Sequence, residues 1–132
     1  FRLYENQLIR QTEAELIAQG AVLAAIYAED VRAAGIAPDK LGAPVAVDAE
    51  RSASTNEPYQ PLEPRLDLAS DTVLPTRPAP VAAIADPAFA AIGAGLSGIL
   101  AETQKTTLAG FRLLDPRGVV IAGREEIGQS LA

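Results

Sequence analysis

Apolar residues recur at helical spacing through the first quarter of the chain. The stripe consists of Leu3, Leu8, Ile9, Leu16, Ile17, Leu23, Ile26, Tyr27 and Val31. Steps of three and four residues predict one long amphipathic helix over residues 2–34, with Gly35 as its stop. Within the stripe, Ile9, Leu16 and Leu23 are seven residues apart, which is the spacing of a helix–helix seam. The helix is therefore expected to pack against its copy in a dimer, to cover a sheet of its own domain, or to do both.

The pattern breaks down over residues 36–85. This segment contains Pro38, Pro44, Pro58, Pro61, Pro64, Pro75, Pro78 and Pro80, which exclude a long helix and most central strands. We expect the segment to wrap the surface of the domain with short fragments of structure. Residues 45–47 and 72–74 are the best strand candidates, residues 61–68 are the candidate helical turn, and residues 51–57 are the expected loop tip.

A second helix begins at Asp86-Pro87, where Asp serves as N-cap and Pro takes the first helical position. Its apolar stripe steps by three and four through Phe89, Ile92, Leu96, Ile99, Thr103 and Thr106, with Leu100 alongside. The helix is predicted to run to about residue 108 and to end at Gly110. The small residues between Gly93 and Gly98 allow another backbone to approach closely. Packing on the first helix is the favoured interpretation, and a dimer contact or a hinge is the alternative.

A β-hairpin is predicted after the second helix. Two short apolar runs, residues 111–114 and 119–122, flank Asp115-Pro116-Arg117-Gly118. Pro pre-sets φ for a turn, Asp bonds the backbone ahead of it, and Gly accepts a positive φ. Asp115 is accordingly expected to be a turn residue rather than a ligand-binding one.

This hairpin resembles the signature of extracytoplasmic Cache (PAS-like) sensor domains. The matching positions are Leu113, Leu114, Asp115, Gly118, Val120, Ala122, Ile127 and Gly128. The resemblance implies an α+β fold in which the long N-terminal helix packs with the second helix against a small antiparallel β-sheet. The family has about five strands, some of them after the Ile-Gly pair, so the sheet of this chain is expected to be incomplete. Residues 1–132 are then one sensor domain: a signalling helix (1–34), a Pro-rich wrap (36–85), a second helix (86–109) and the hairpin with its Ile-Gly segment (110–132).

The resemblance also implies a function. Such a module is the periplasmic sensor domain of an inner-membrane histidine kinase in a two-component system, and it signals through helix displacement in a homodimer formed by the N-terminal helix. Its partner would be a small molecule or a periplasmic protein, and the ligand pocket of the family points to Tyr59, Arg65 and Arg77, while Arg112 flanks the hairpin and could hold an anion. Related modules serve chemoreceptors and cyclic-dinucleotide enzymes, and a non-catalytic binding or scaffold module is the remaining alternative.

The amino-acid composition excludes several kinds of binding and catalytic site. The net charge of −6 argues against a nucleic-acid partner, and the chain has no His and no Cys. Imidazole and thiolate metal sites, and nucleophile pairs that need His, are therefore excluded. Residues 93–98 have the form G-x-G-x-x-G, but they lie inside a predicted helix rather than between a strand and a helix, so no dinucleotide site is expected. We expect no cofactor, no metal and no catalysis. The sequence does not begin with Met and has no apolar run long enough to cross a bilayer, so any membrane anchor is expected outside it.

Overall fold

A computed structural model describes residues 2–43, 61–67 and 69–131. Along this part of the chain lie two α-helices and four short strands: α1 (Arg2–Ala33), β1 (Val81–Ala82), α2 (Pro87–Thr107), β2 (Leu113–Leu114), β3 (Val120–Ala122) and β4 (Gln129–Ser130). A single 3-10 turn, Pro38–Lys40, lies between α1 and β1. The fold is α+β, with a long N-terminal helix and small antiparallel sheets, as the sequence predicts.

Helix α1 has the predicted extent, and the chain reverses at Gly35. This glycine has φ +62°, and its N–H donates to the carbonyl of Arg32 at 3.2 Å. In the second half of α1, Leu23 is buried against Leu100 and Ala122, and the half-buried Phe111 and Leu113 complete this core. The second half of α1 therefore covers its own domain.

Helix α2 begins and ends as its sequence predicts. The Asp86 carboxylate accepts the Ala88 N–H at 3.0 Å, and Leu108 closes the other end in the left-handed conformation at φ +59°. Its buried face consists of Phe89, Ile92, Gly93, Leu96 and Leu100. The expected stripe is wrong at two positions, because Ile99 and Thr106 are exposed, and Leu100 lies in the core instead.

Gly93 lies where α2 packs on β3. A Cβ atom on Gly93 would lie 2.6 Å from the carbonyl carbon of Ile121 and 2.8 Å from its Cβ. The close backbone approach predicted here exists, but the expectation that it would be made to α1 is wrong. Gly95 and Gly98 face open space, since no atom lies within 4 Å of a Cβ built on either.

The four strands form two two-stranded antiparallel sheets, β1 with β4 and β2 with β3. Strand β1 pairs antiparallel with β4, Val81 opposite Ser130, and β2 pairs antiparallel with β3, with an irregularity between Leu113 and Leu114. A bridge between Val119 and Ser130 connects the two ladders, and the Gly128 N–H donates to the Val120 carbonyl at 3.0 Å. The segment after the Ile-Gly pair thus contributes a strand.

The Pro-rich segment differs from its prediction. Residues 72–74 form no strand, and the strand of this region is β1 instead. Residues 61–67 are irregular rather than helical, and a turn follows them at residues 69–70. The predicted strand at residues 45–47 and the predicted loop tip at 51–57 lie outside the described residues. The pairing of β1 with the distant β4 involves only two residues and follows Pro80, so the sequence shows no strand pattern there.

Candidate functional site

The hairpin turn is organised by the carboxylate of Asp115. This side chain is buried, and its Oδ1 accepts the N–H groups of Arg117 and Val119, both at 2.9 Å. The Gly118 N–H closes the turn on the Asp115 carbonyl at 2.9 Å, and Gly118 has φ +88°. Asp115 is therefore a turn residue, as expected, and one of its oxygens is fully used by the backbone.

Two of the four predicted ligand-binding residues meet at one carboxylate. Arg77 donates to Glu126 Oε1 at 2.8 Å, and Nε of Arg112 lies 3.0 Å from Glu126 Oε2. The side chain of Glu126 is only 18% exposed, although it stands in the polar run Arg124-Glu125-Glu126. The hydrogen bond from Arg77 is the main cause that lowers the pKa of Glu126, and the charges of Arg77 and Arg112 add to it. Through this cluster, the segment before β1 contacts the residues that precede β2 and follow β3.

The other two predicted residues do not join this cluster. Arg65 is exposed, and its backbone N–H donates to Glu13 on α1 at 3.2 Å. The neighbouring Leu66 N–H reaches the other oxygen of the same carboxylate at 3.0 Å. Tyr59 lies outside the described residues. The four residues therefore do not form one common site in the part of the chain that the structure describes.

The first half of α1 is held by polar contacts. Besides the two bonds to Glu13, the Asn6 side chain donates to Asp67 at 3.1 Å, and Arg10 reaches the Leu66 carbonyl at 3.5 Å. Three leucines in this half are exposed, and Leu3 reaches 87%, whereas Ile9 is half-buried. We call Leu3, Leu8 and Leu16 the exposed α1 stripe. Leu16 lies on the same face of the helix as Leu23, seven residues later, which is buried in the core.

Tyr27 connects α1 to the hairpin turn. Its hydroxyl donates to the Leu114 carbonyl at 3.0 Å, immediately before the turn. Burial, and then the nearby charge of Asp115, raise the pKa of Tyr27 to about 12. Sequence reasoning assigned Tyr27 to the apolar stripe and missed this contact. Its mixed apolar and polar character is the signal that could have indicated it.

The described residues offer no evident reactive centre. Among them, no group of three or more His, Cys, Asp or Glu side chains is placed to hold a metal ion. The carboxylates of Asp86, Asp115 and Glu126 are engaged by backbone N–H groups or by cations. Nor is any helix in this part of the chain sufficiently long and apolar to cross a membrane.

Comparison with known proteins identifies no relative: no family model, no curated protein and no solved structure matches this chain.

Proposed function

We propose that this chain is the extracytoplasmic stimulus-sensing domain of a membrane-bound sensor histidine kinase of the Cache (PAS-like) type, and that it signals as a dimer through α1. The observation that carries the proposal is the division of α1 into two halves. The second half packs on the domain core through Leu23, while the exposed α1 stripe leaves the first half with uncovered apolar side chains. Covering such side chains is favourable by about 25 cal/mol for each Å² removed from water.

The strand arrangement supports the same proposal. The turn built on Asp115 and Gly118, the Ile-Gly pair, and a strand after that pair occur in the order expected of such a sensor. A stimulus acting on the domain body would favour one of two dimer arrangements, and α1 would transmit the change as a displacement of its first half. The kinase activity would belong to a different part of the receptor.

Sedimentation equilibrium tests the dimer. We expect a reversible dimer that Leu8→Asp and Leu16→Asp dissociate, because each places a charge in an apolar contact. Leu74→Asp is the matched control, since Leu74 is an exposed leucine outside α1 and its substitution should leave the dimer intact. A monomer at every concentration, or equal effects of all three variants, contradicts the proposal.

The open reading frame that encodes the chain tests the receptor role. A membrane span on either side of this segment and a kinase core with a phosphorylatable His support the proposal. If the frame encodes a chemoreceptor or a cyclic-dinucleotide enzyme instead, the sensor role is supported and the histidine kinase output is wrong. A frame without membrane spans would favour a binding or scaffold module.

A further inference from the structure

Two depressions meet at the hairpin turn. One, of about 390 Å³, lies between residues 39–42, the start of α2 and the turn. The other, of about 450 Å³, lies between the end of α1 and the same turn. Both are lined by Phe89, Asp115 and Pro116, so they share a wall, and we call the two together the turn cleft. Their volumes fall within the range of about 300–1,000 Å³ that is typical of small-molecule sites.

One end of the turn cleft is apolar. It is lined by Tyr27, Val31, Leu41 and Leu114, and Phe89 is buried beneath it. Leu41 and Leu114 line the same depression, and both side chains remain exposed to solvent. A bound apolar group would remove this surface from water, which is the favourable term in most small-molecule binding.

The other end carries two cations on either side of Asp86. Lys40 Nζ lies 2.9 Å from Asp86 Oδ2, and the Arg117 guanidinium donates to the Ile84 carbonyl at 2.6 Å. The hydrogen bond from Lys40 is the largest cause that lowers the pKa of Asp86, and the charge of Arg117 contributes to the same shift. Both cations therefore act on one small region at the start of α2.

Two of the three acids at this end, Asp86 and Asp115, are already engaged. The charged groups that line the turn cleft are Arg32, Asp39, Lys40, Asp86, Asp115 and Arg117. Asp86 accepts the Ala88 N–H with one oxygen and Lys40 with the other, while Asp115 Oδ1 accepts two backbone N–H groups. Lys40 and Arg117 are largely exposed and hold N–H donors beyond the contacts just named. Asp115 Oδ2 lies 3.8 Å from the Arg117 guanidinium, so the polar groups that remain for a ligand are further N–H donors of Lys40 and Arg117, together with the Asp39 carboxylate.

We propose that the turn cleft binds a small amphipathic organic anion, with its apolar body against Leu41 and Leu114 and its anionic group on Lys40 and Arg117. The inference goes beyond the proposed function, which specifies no ligand, and it requires neither a dimer nor a receptor. Arg32, at the apolar end, is already paired with Glu29 at 2.7 Å. We therefore place the anionic group on Lys40 and Arg117 rather than on Arg32. A carboxylate on Lys40 and Arg117 forms charge-assisted hydrogen bonds that a neutral amide lacks.

Titration calorimetry of the full chain with 3-phenylpropionate and its neutral amide, 3-phenylpropionamide, tests the inference. We expect the carboxylate to bind about tenfold more tightly than the amide, with the preference decreasing as salt is added. The double variant Lys40→Gln with Arg117→Gln should abolish the preference without changing amide binding. Lys105→Gln is the control, because this lysine lies on the exposed surface of α2, where it pairs with Glu102, and it does not line the turn cleft.

A second variant locates the apolar body. Leu41→Asn should weaken the carboxylate and the amide equally, since it alters only the apolar end. Equal affinity for the two compounds in the unchanged protein, no binding at about 10 mM of either, or an equal loss in the Lys105 control would overturn the inference. None of these results affects the dimer test, so failure here is distinguishable from failure of the proposed function.

Discussion

Replacing Gly93 by alanine should destabilise the domain, although alanine is the better helix former. A methyl group at this position would lie 2.6 Å from the carbonyl carbon of Ile121, whereas carbon atoms in favourable contact are about 3.5–4.0 Å apart. Relief of this clash requires α2 and β3 to separate by about 1 Å. Both partners are regular backbone, so no flexible side chain can move aside.

The expected change in the free energy of unfolding for Gly93→Ala is the sum of two opposing contributions. Opening the α2–β3 contact strains packing around the buried Ile92 and Leu96, and overpacking of this kind costs about 1–3 kcal/mol. Removing glycine from a helix interior returns about 1 kcal/mol. Because the clash involves backbone on both sides, we expect the upper part of that range and a net loss of about 1–2 kcal/mol.

Urea unfolding followed by circular dichroism measures this loss, with Gly95→Ala and Gly98→Ala as matched controls. No atom lies within 4 Å of a Cβ on either control position, so each control should gain about 0.5–1 kcal/mol from helix propensity alone. The three glycines lie within six residues of the same helix. If Gly93→Ala proved as stable as the controls, the close approach of α2 to β3 would be refuted.

Three further substitutions test the contacts around the turn and the arginine cluster. Tyr27→Phe should lower the free energy of unfolding by about 0.5–1.5 kcal/mol through the lost bond to the Leu114 carbonyl, and it should remove the ultraviolet ionisation step of tyrosine near pH 12. Because the pKa of Tyr27 is raised on folding, its stabilising contribution is present below pH 10 and is lost between about pH 10 and 12. An ionisation step that persists in the variant contradicts the assignment. Glu126→Gln should weaken the dependence of stability on acid pH, since the lowered pKa of Glu126 contributes stability above the usual glutamate pKa, and this contribution is lost as pH falls through the lowered value. Glu102→Gln, at an exposed helix pair, is the control and should leave the loss of stability at acid pH unchanged. The same loss of stability at acid pH in both variants would exclude the cluster. Asp115→Ala should cost about 1–3 kcal/mol in chemical unfolding, because two backbone N–H groups lose their acceptor; an unchanged unfolding midpoint would show that the turn does not depend on this carboxylate.

Local signals in the sequence predicted the helices and the hairpin turn. Asp86 before a proline specifies the start of α2, and Asp115 with Gly118 specifies the turn, because each acts on backbone groups a few residues away. Gly93 was recognised as a point of close approach, but periodicity alone does not say which element approaches. The answer depends on where β3 lies, and that is a tertiary fact.

The missed features are the non-local ones. Strand β1 is two residues long and Val81 is exposed, so it shows no alternation that a pattern could reveal. Glu126 stands in a polar run typical of surface, yet it is paired with Arg77, which is 49 residues away in the sequence. Arg77 and Arg112 were both selected as ligand-binding candidates, and the structure brings them together around an internal carboxylate that no local signal identifies.

The division of α1 determines how the two proposals would act on each other. The turn cleft borders the docked half of α1 at Tyr27, while the exposed α1 stripe lies on the other half of the same continuous helix. If an anion in the cleft changes the dimer dissociation constant by some factor, linkage requires dimerisation to change the affinity for that anion by a corresponding factor. Calorimetry with 3-phenylpropionate at protein concentrations below and above the dimer dissociation constant measures this coupling directly. Equal affinities in the two regimes would mean that binding at the turn does not reach the first half of α1, and a signal carried by that helix would then have to enter through its polar contacts at Asn6, Arg10 and Glu13.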